Sequence, residues 1–235
     1  MAFKQFNLAD IGQVTIYKRR GARQIRLTVD HGGQIKISQP TWVPYAAGVR
    51  FAESKRAWLT AQLQASTPTV LTDGQMVGKQ HRLRFVADQT VTAARSRLTP
   101  DGTITVRHAA TVPVTDDRVQ AVARTAAIRA LRSEAEELLP PRLRQLAERH
   151  SLPFRSVSVR QLKGRWGSCD QSANITLNLF LMQLPWELID YVLLHELTHT
   201  KLMRHGAPFW QQMAAYDPAT PMHRRQLRAY RPIIF

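Results

Sequence analysis

The pentapeptide His195-Glu196-Leu197-Thr198-His199 constrains the fold more than any other stretch of this sequence. On an α-helix, residues four apart project from one face, so two imidazoles at this spacing can share one metal ion. The surrounding segment, Leu188–Leu202, is rich in Leu and Val and reads as a largely buried helix, with Pro185 suited to its first turn. A helix of that kind needs a core behind it and a cleft in front of its histidines. Glu196 lies beside the first histidine and can reach a water at the metal as general base. With 8 His and 7 Glu in 235 residues, chance would supply the pattern about 0.008 times per chain. Accident is a poor explanation.

A catalytic zinc takes three protein ligands and keeps one position open. No glutamate follows Glu196, which excludes the downstream Glu ligand of thermolysin-like enzymes. The remaining downstream candidates are His205, Asp217 and His223. One continuous helix would aim His205 away from the metal, so its use requires the helix to stop near Leu202–Arg204. Gly206, with Pro208 suited to an N1 position, supports a turn and a new helix through Phe209 and Trp210. His205 then sits at the joint and can swing back, with His223 the next candidate. Zinc is the expected cofactor, although imidazole ligands also admit nickel, cobalt or manganese.

Elsewhere the hydrophobic period changes along the chain. Ile25, Leu27 and Val29 alternate with polar residues, Gly32-Gly33 supplies a turn, and Ile35 and Ile37 resume the alternation. Asp101-Gly102 signals a second hairpin between Ala94–Thr99 and Thr103–His108. Between them Tyr45 to Leu63 has helical spacing, and the polar stretch Ala65–Asp73 reads as a connector. From Asp116 the period becomes helical, with Asp116-Asp117 as cap and Val119, Val122, Ala126, Ala130 and Leu131 recurring. Pro140-Pro141 is expected to break this run, Pro141 opening a second short helix through His150. A strand at Ser156–Gln161, a loop at Lys163–Cys169 and a strand at Asn174–Leu181 follow. No internal repeat is evident. The expected architecture is α+β: a β-rich domain over 1–112, then a zincin-like helical domain with a small supporting sheet over 113–235.

Charge bears on partners. The formal net charge is +16, and residues 1–60 hold ten basic against three acidic residues. The excess lies mainly outside the segment with the histidines. Such a surface attracts nucleic acid, nucleotides or acidic proteins, or is simply a solvated basic face. The single cysteine, Cys169, excludes an internal disulfide and a Cys-rich zinc site, and a small buried residue is the expected role. No signal-peptide pattern and no membrane-length apolar run occur, so a cytoplasmic setting with no membrane partner is expected.

His195-Glu196-Leu197-Thr198-His199, followed by His205-Gly206-Ala207-Pro208-Phe209-Trp210, resembles the YgjP-like metallopeptidases, relatives of the SprT-like zinc proteases. The resemblance extends to Arg165-Trp166-Gly167-Ser168-Cys169, Asn174-Ile175-Thr176-Leu177-Asn178 and Ile189-Asp190-Tyr191-Val192, and covers most of the chain. It implies a zinc centre with His195, His199 and His205 as ligands and Glu196 as the catalytic residue. The preferred reaction is therefore hydrolysis of peptide or protein substrates. The strand Asn174–Leu181, including Asn178, either lines the cleft and pairs with an extended peptide or is an ordinary strand of the sheet. Lys163 and Arg165 are candidates to polarise a carbonyl or to hold a phosphate. Two alternatives remain open. The same metal site would serve a nucleotide triphosphate hydrolase if Lys163, Arg165 and Arg204 converge on it. A DNA-associated protease is the other, although no zinc finger or helix-turn-helix signature supports it.

Overall fold

The structure is a computed structural model that describes residues 2–29, 33–66 and 69–230. Gly32 of the expected turn and Thr67-Pro68 of the expected connector lie outside the described residues. The chain divides into two compact units, residues 1–69 and 70–234.

In the first unit, β1 (Phe3–Leu8), β2 (Gly12–Arg19), β3 (Arg26–Val29) and β4 (Ile35–Pro40) form one sheet in the order β1-β2-β4-β3. The β2–β4 pair is parallel and the other two pairs are antiparallel. Alternation sends Val14, Ile16, Ile35 and Ile37 to one face, where they are buried with Ala52 and Leu59 from two helices. Those helices are α1 (Tyr45–Ser54) and α2 (Arg56–Ser66). The helical stretch expected over Tyr45–Leu63 is thus two helices joined at Lys55, whose N–H closes the first.

The second unit opens with β5 (Met76–Val77), β6 (His81–Asp88), β7 (Arg95–Leu98) and β8 (Thr103–Ala109), in the order β5-β6-β8-β7. The expected hairpin is present, with Gly102 at φ +81° in its turn, where a side chain would be strained. This sheet has the same strand order and the same antiparallel–parallel–antiparallel pairings as the first. Where the sequence shows no repeat, the topology repeats.

Next comes α3 (Asp117–Arg149), capped by the Asp116 carboxylate, which accepts from the Arg118 N–H at 2.9 Å. It runs unbroken through Pro140 and Pro141, contrary to the expected break. The prolines cannot bond the carbonyls of Glu136 and Glu137, but both of those residues face solvent, where water can take them. On the opposite side Leu131, Ala135, Leu139 and Leu143 are fully buried and hold both halves to the core. At about 1.5–3 kcal/mol for each of the three buried leucines, that packing is comparable to the roughly 3 kcal/mol that each of the two helical prolines costs. The strand-to-helix switch that placed a division at 112/113 falls inside this second unit, where β5 to β8 pack on α3.

A small sheet follows, of β9 (Ser156–Arg160), β10 (Gly167–Cys169) and β11 (Asn174–Asn178), in the order β10-β11-β9. The strand expected over Asn174–Leu181 stops at Asn178, whose side chain accepts from the Phe180 N–H and starts a 3-10 turn over Leu179–Gln183. The three helices α4 (Trp186–His199), α5 (Ala207–Tyr216) and α6 (Thr220–Ala229) complete the chain. An Arg142–Asp190 ion pair, with Nε to Oδ1 at 2.7 Å and a second guanidinium contact to Oδ2, joins α3 to α4. Among the described residues no helix is long and apolar enough to cross a membrane.

Candidate metal centre

Leu188, Ile189, Val192, Leu193 and Leu197 bury one side of α4, so the helix is fixed before its polar residues are considered. Thr198 is spent inside, its hydroxyl donating to the Leu194 carbonyl at 2.7 Å. The helix ends at His199 as Thr200 and Lys201 make tighter bonds to Leu197 and Thr198, each 3.1 Å. The chain then turns back, and Gly206 starts α5 with Pro208 in its first turn. His205 comes to the joint. Its Nε2 lies 3.0 Å from Nε2 of His195 and 3.0 Å from Nε2 of His199. Tetrahedral nitrogen ligands at 2.0–2.1 Å from zinc stand about 3.3 Å apart, so the three nitrogens come near that spacing. Fully buried Phe209 holds the cluster, its ring centroid 4.7–4.9 Å from all three imidazoles.

The donor set fits a metal electronically as well. Burial, aided by His199, His205 and Arg224, pushes His195 down to about 3, and burial also lowers His199. Neutral imidazole is the ligating form. The Leu202 carbonyl stands 3.1 Å from Nδ1 of His199 and accepts its proton, which leaves Nε2 with a lone pair for a metal. Glu196 is 5% exposed, and burial pushes its carboxyl up to about 8, against the opposing charge of Arg165. The cause is desolvation, with no hydrogen bond to the carboxyl group among the described residues to offset it. Gly167 on β10 allows the close approach: a Cβ there would stand 2.7 Å from Glu196 Oε1 and 2.8 Å from its Cγ.

A cavity of about 640 Å³ opens beside His195 and Glu196. Arg165, Trp166 and Gly167 form one wall, while Trp210, Arg224 and Arg228 contribute to another. Arg224 lies 4.1 Å over the Trp210 ring. Of the three cations expected to converge for phosphate chemistry, Arg165 alone lines the cavity; Lys163 and Arg204 are exposed outside its wall. Asn178 is 3% exposed and its carboxamide is fully engaged, donating to the carbonyls of Leu162 at 3.0 Å and Arg165 at 2.8 Å. It holds the loop that carries Arg165 instead of offering a free group to substrate. The strand expected to present an open edge, β11, is the central one, paired on both sides, and the edge beside α4 belongs to β10. His223 pairs with Asp217 at 2.7 Å and is not part of the histidine cluster. Cys169 is partly buried, and burial with Glu196 and Asp170 pushes its thiol up to about 11, unsuited to a nucleophile. Sequence reasoning missed Arg224 and Arg228, because nothing local to α6 shows that it packs against α4. Gly167 was visible only within a motif.

A family model described as YgjP-like, metallopeptidase domain, matches residues 23–230. The chain belongs to the YgjP-like family. The family match, with His195 and His199 on the H-E-x-x-H helix and His205 at the joint after it, makes this YgjP-like chain a metal-dependent hydrolase of the metallopeptidase class. Two solved structures are similar to part of it. The metallopeptidase zymogen abylysin of Pyrococcus abyssi is 22% identical, with 38% of this chain and 91% of that chain covered at a TM-score of 0.36. The metallopeptidase zymogen jannalysin of Methanocaldococcus jannaschii is 18% identical, with 38% and 93% covered at a TM-score of 0.35. None of the curated proteins compared with this YgjP-like sequence matches it.

Proposed function

We propose that this chain hydrolyses peptide bonds using one zinc ion held by His195, His199 and His205, with Glu196 as general base. The observation that carries the reading is the convergence of three imidazole nitrogens beside a desolvated carboxyl group. A zinc ion bound there supplies Lewis acidity, making a water acidic and polarising the scissile carbonyl. Glu196 takes the water proton and delivers it to the leaving amine. Its burial favours the protonated form, and the charge of Arg165 opposes that. The free edge of β10, next to Gly167, offers backbone groups to an extended chain, and pairing there would lay a peptide along the cavity. Arg165, on the same wall, would meet a substrate carbonyl or carboxylate.

Metal analysis of the purified protein, with parallel assays on a disordered protein and a nucleoside triphosphate, tests the proposal. The expected result is about one zinc per chain, proteolysis by the wild type, and metal retained but turnover lost in Glu196→Gln. Nucleotide hydrolysis lost in that variant, with no proteolysis, would overturn the peptidase reading and leave the metal site standing.

A further inference from the structure

Among the described residues of the N-terminal unit, both helices pack on one face of the sheet. The other face carries a row of register partners running across all four strands: Phe3 on β1 beside Tyr17 on β2, Tyr17 beside Ser38 on β4, and Ser38 beside Arg26 on β3. Three strand spacings make this row about 14 Å wide. The two rings lie 5.7 Å apart at 37°, and Phe3 is 56% exposed, although it is large and apolar. Nothing in the core requires it to be aromatic.

At the Arg26 end, the chain leaving β2 turns through Arg19–Ala22, with the Ala22 N–H bonded to the Arg19 carbonyl at 3.3 Å and Gly21 at φ +81°. This turn gathers Arg19, Arg20 and Arg23 with Arg26 and Ser38 around a cavity of about 510 Å³. All four guanidinium groups belong to exposed residues, and none has an ion-pair partner among the described residues. Asp10, at the opposite end of β2, is taken by Arg56 at 3.4 Å. Four unneutralised cations in one concavity create a field that selects anions. A single phosphate does not need four arginines or the aromatic pair next to them. A chain of phosphates with flat, exposed bases uses both.

We infer that this face of the sheet binds single-stranded nucleic acid, stacking bases on Phe3 and Tyr17 and holding phosphates on Arg19, Arg20, Arg23 and Arg26. Bases in a duplex are already stacked and leave exposed rings nothing to accept, whereas a single strand presents its π-faces. An anionic membrane would be met by a basic amphipathic helix or a larger apolar group, and this face has neither.

The test is fluorescence anisotropy on the full chain with a labelled oligothymidylate, a duplex of equal length and anionic phospholipid vesicles, across a salt series. The single strand should bind most tightly. Four phosphate contacts at about 0.7 each predict a log–log salt slope near −3. Arg20→Ala with Arg23→Ala should weaken binding and reduce the slope to about half. Phe3→Ala should weaken binding about tenfold and leave the slope unchanged. Circular dichroism of each variant confirms that it folds. Equal or tighter duplex binding, binding to vesicles alone, no oligonucleotide binding, or wild-type affinity in both folded variants would each overturn the inference.

Discussion

A missing side chain shapes the surroundings of Glu196. Because Gly167 has no Cβ, β10 can approach the carboxylate and shield it from water. Gly167→Ala places a methyl group within 3 Å of three Glu196 atoms, so the carboxylate must move. The expected result is a fall in kcat of about tenfold or more with the metal still bound, since a displacement near 1 Å can cost a hundredfold. Unchanged kcat would show that the approach is incidental. The third ligand gives a second residue-scale prediction. His205→Ala should strip most of the zinc, whereas His223→Ala, which loses only the Asp217 partner, should retain it. Metal content of the two purified variants decides this, and the reverse ranking would refute the ligand set. These residues were legible in sequence because a metal pair at four-residue spacing, and a turn made by Gly206 and Pro208, are local chemistry.

At the scale of elements, the decisive piece is the loop between β9 and β10. Asn178 ties it down from β11, donating to two carbonyls and accepting from the Phe180 N–H at 3.2 Å. Asn178→Ala would orphan buried backbone groups, so a loss of about 1–3 kcal/mol in urea unfolding is expected. Zinc stoichiometry should be unchanged, because the histidines lie on other elements. An effect confined to turnover, with stability intact, would instead make Asn178 a substrate contact. The helix α3 teaches the opposite lesson about local signals. Pro140 and Pro141 are strong breakers in isolation, yet buried leucines on both sides keep one helix, and the freed carbonyls belong to the exposed residues Glu136 and Glu137. Tertiary packing outweighed propensity there.

For the whole molecule, a ligand that binds only the folded form should stabilise it. Zinc at a thousand times its Kd would contribute about 4 kcal/mol. Removing the metal with a chelator should therefore lower the thermal midpoint of the unit over residues 70–234, which contains all three histidines. Re-addition of zinc should restore it. A midpoint insensitive to chelation would mean that the cluster is not a resident metal site. The two four-stranded sheets, one in each unit, share strand order and pairing without any visible likeness in sequence.

Local spacing by itself determined the H-E-x-x-H helix, a helix end before His205 and the return of His205, because capping, turns and the helical period act over a few residues; the end was expected near Leu202–Arg204 and falls at His199. It also located the hairpin at Asp101-Gly102 and the capped start of α3. Only the tertiary structure decided that β10 and not β11 is the edge strand beside α4, that Asn178 serves the loop, and that Arg224 joins Arg165 at the cavity. Periodicity reports which face of an element is buried, but not which element covers it. Strand order and the meeting of α6 with α4 depend on contacts between residues far apart in the chain, and those are settled by packing the whole core.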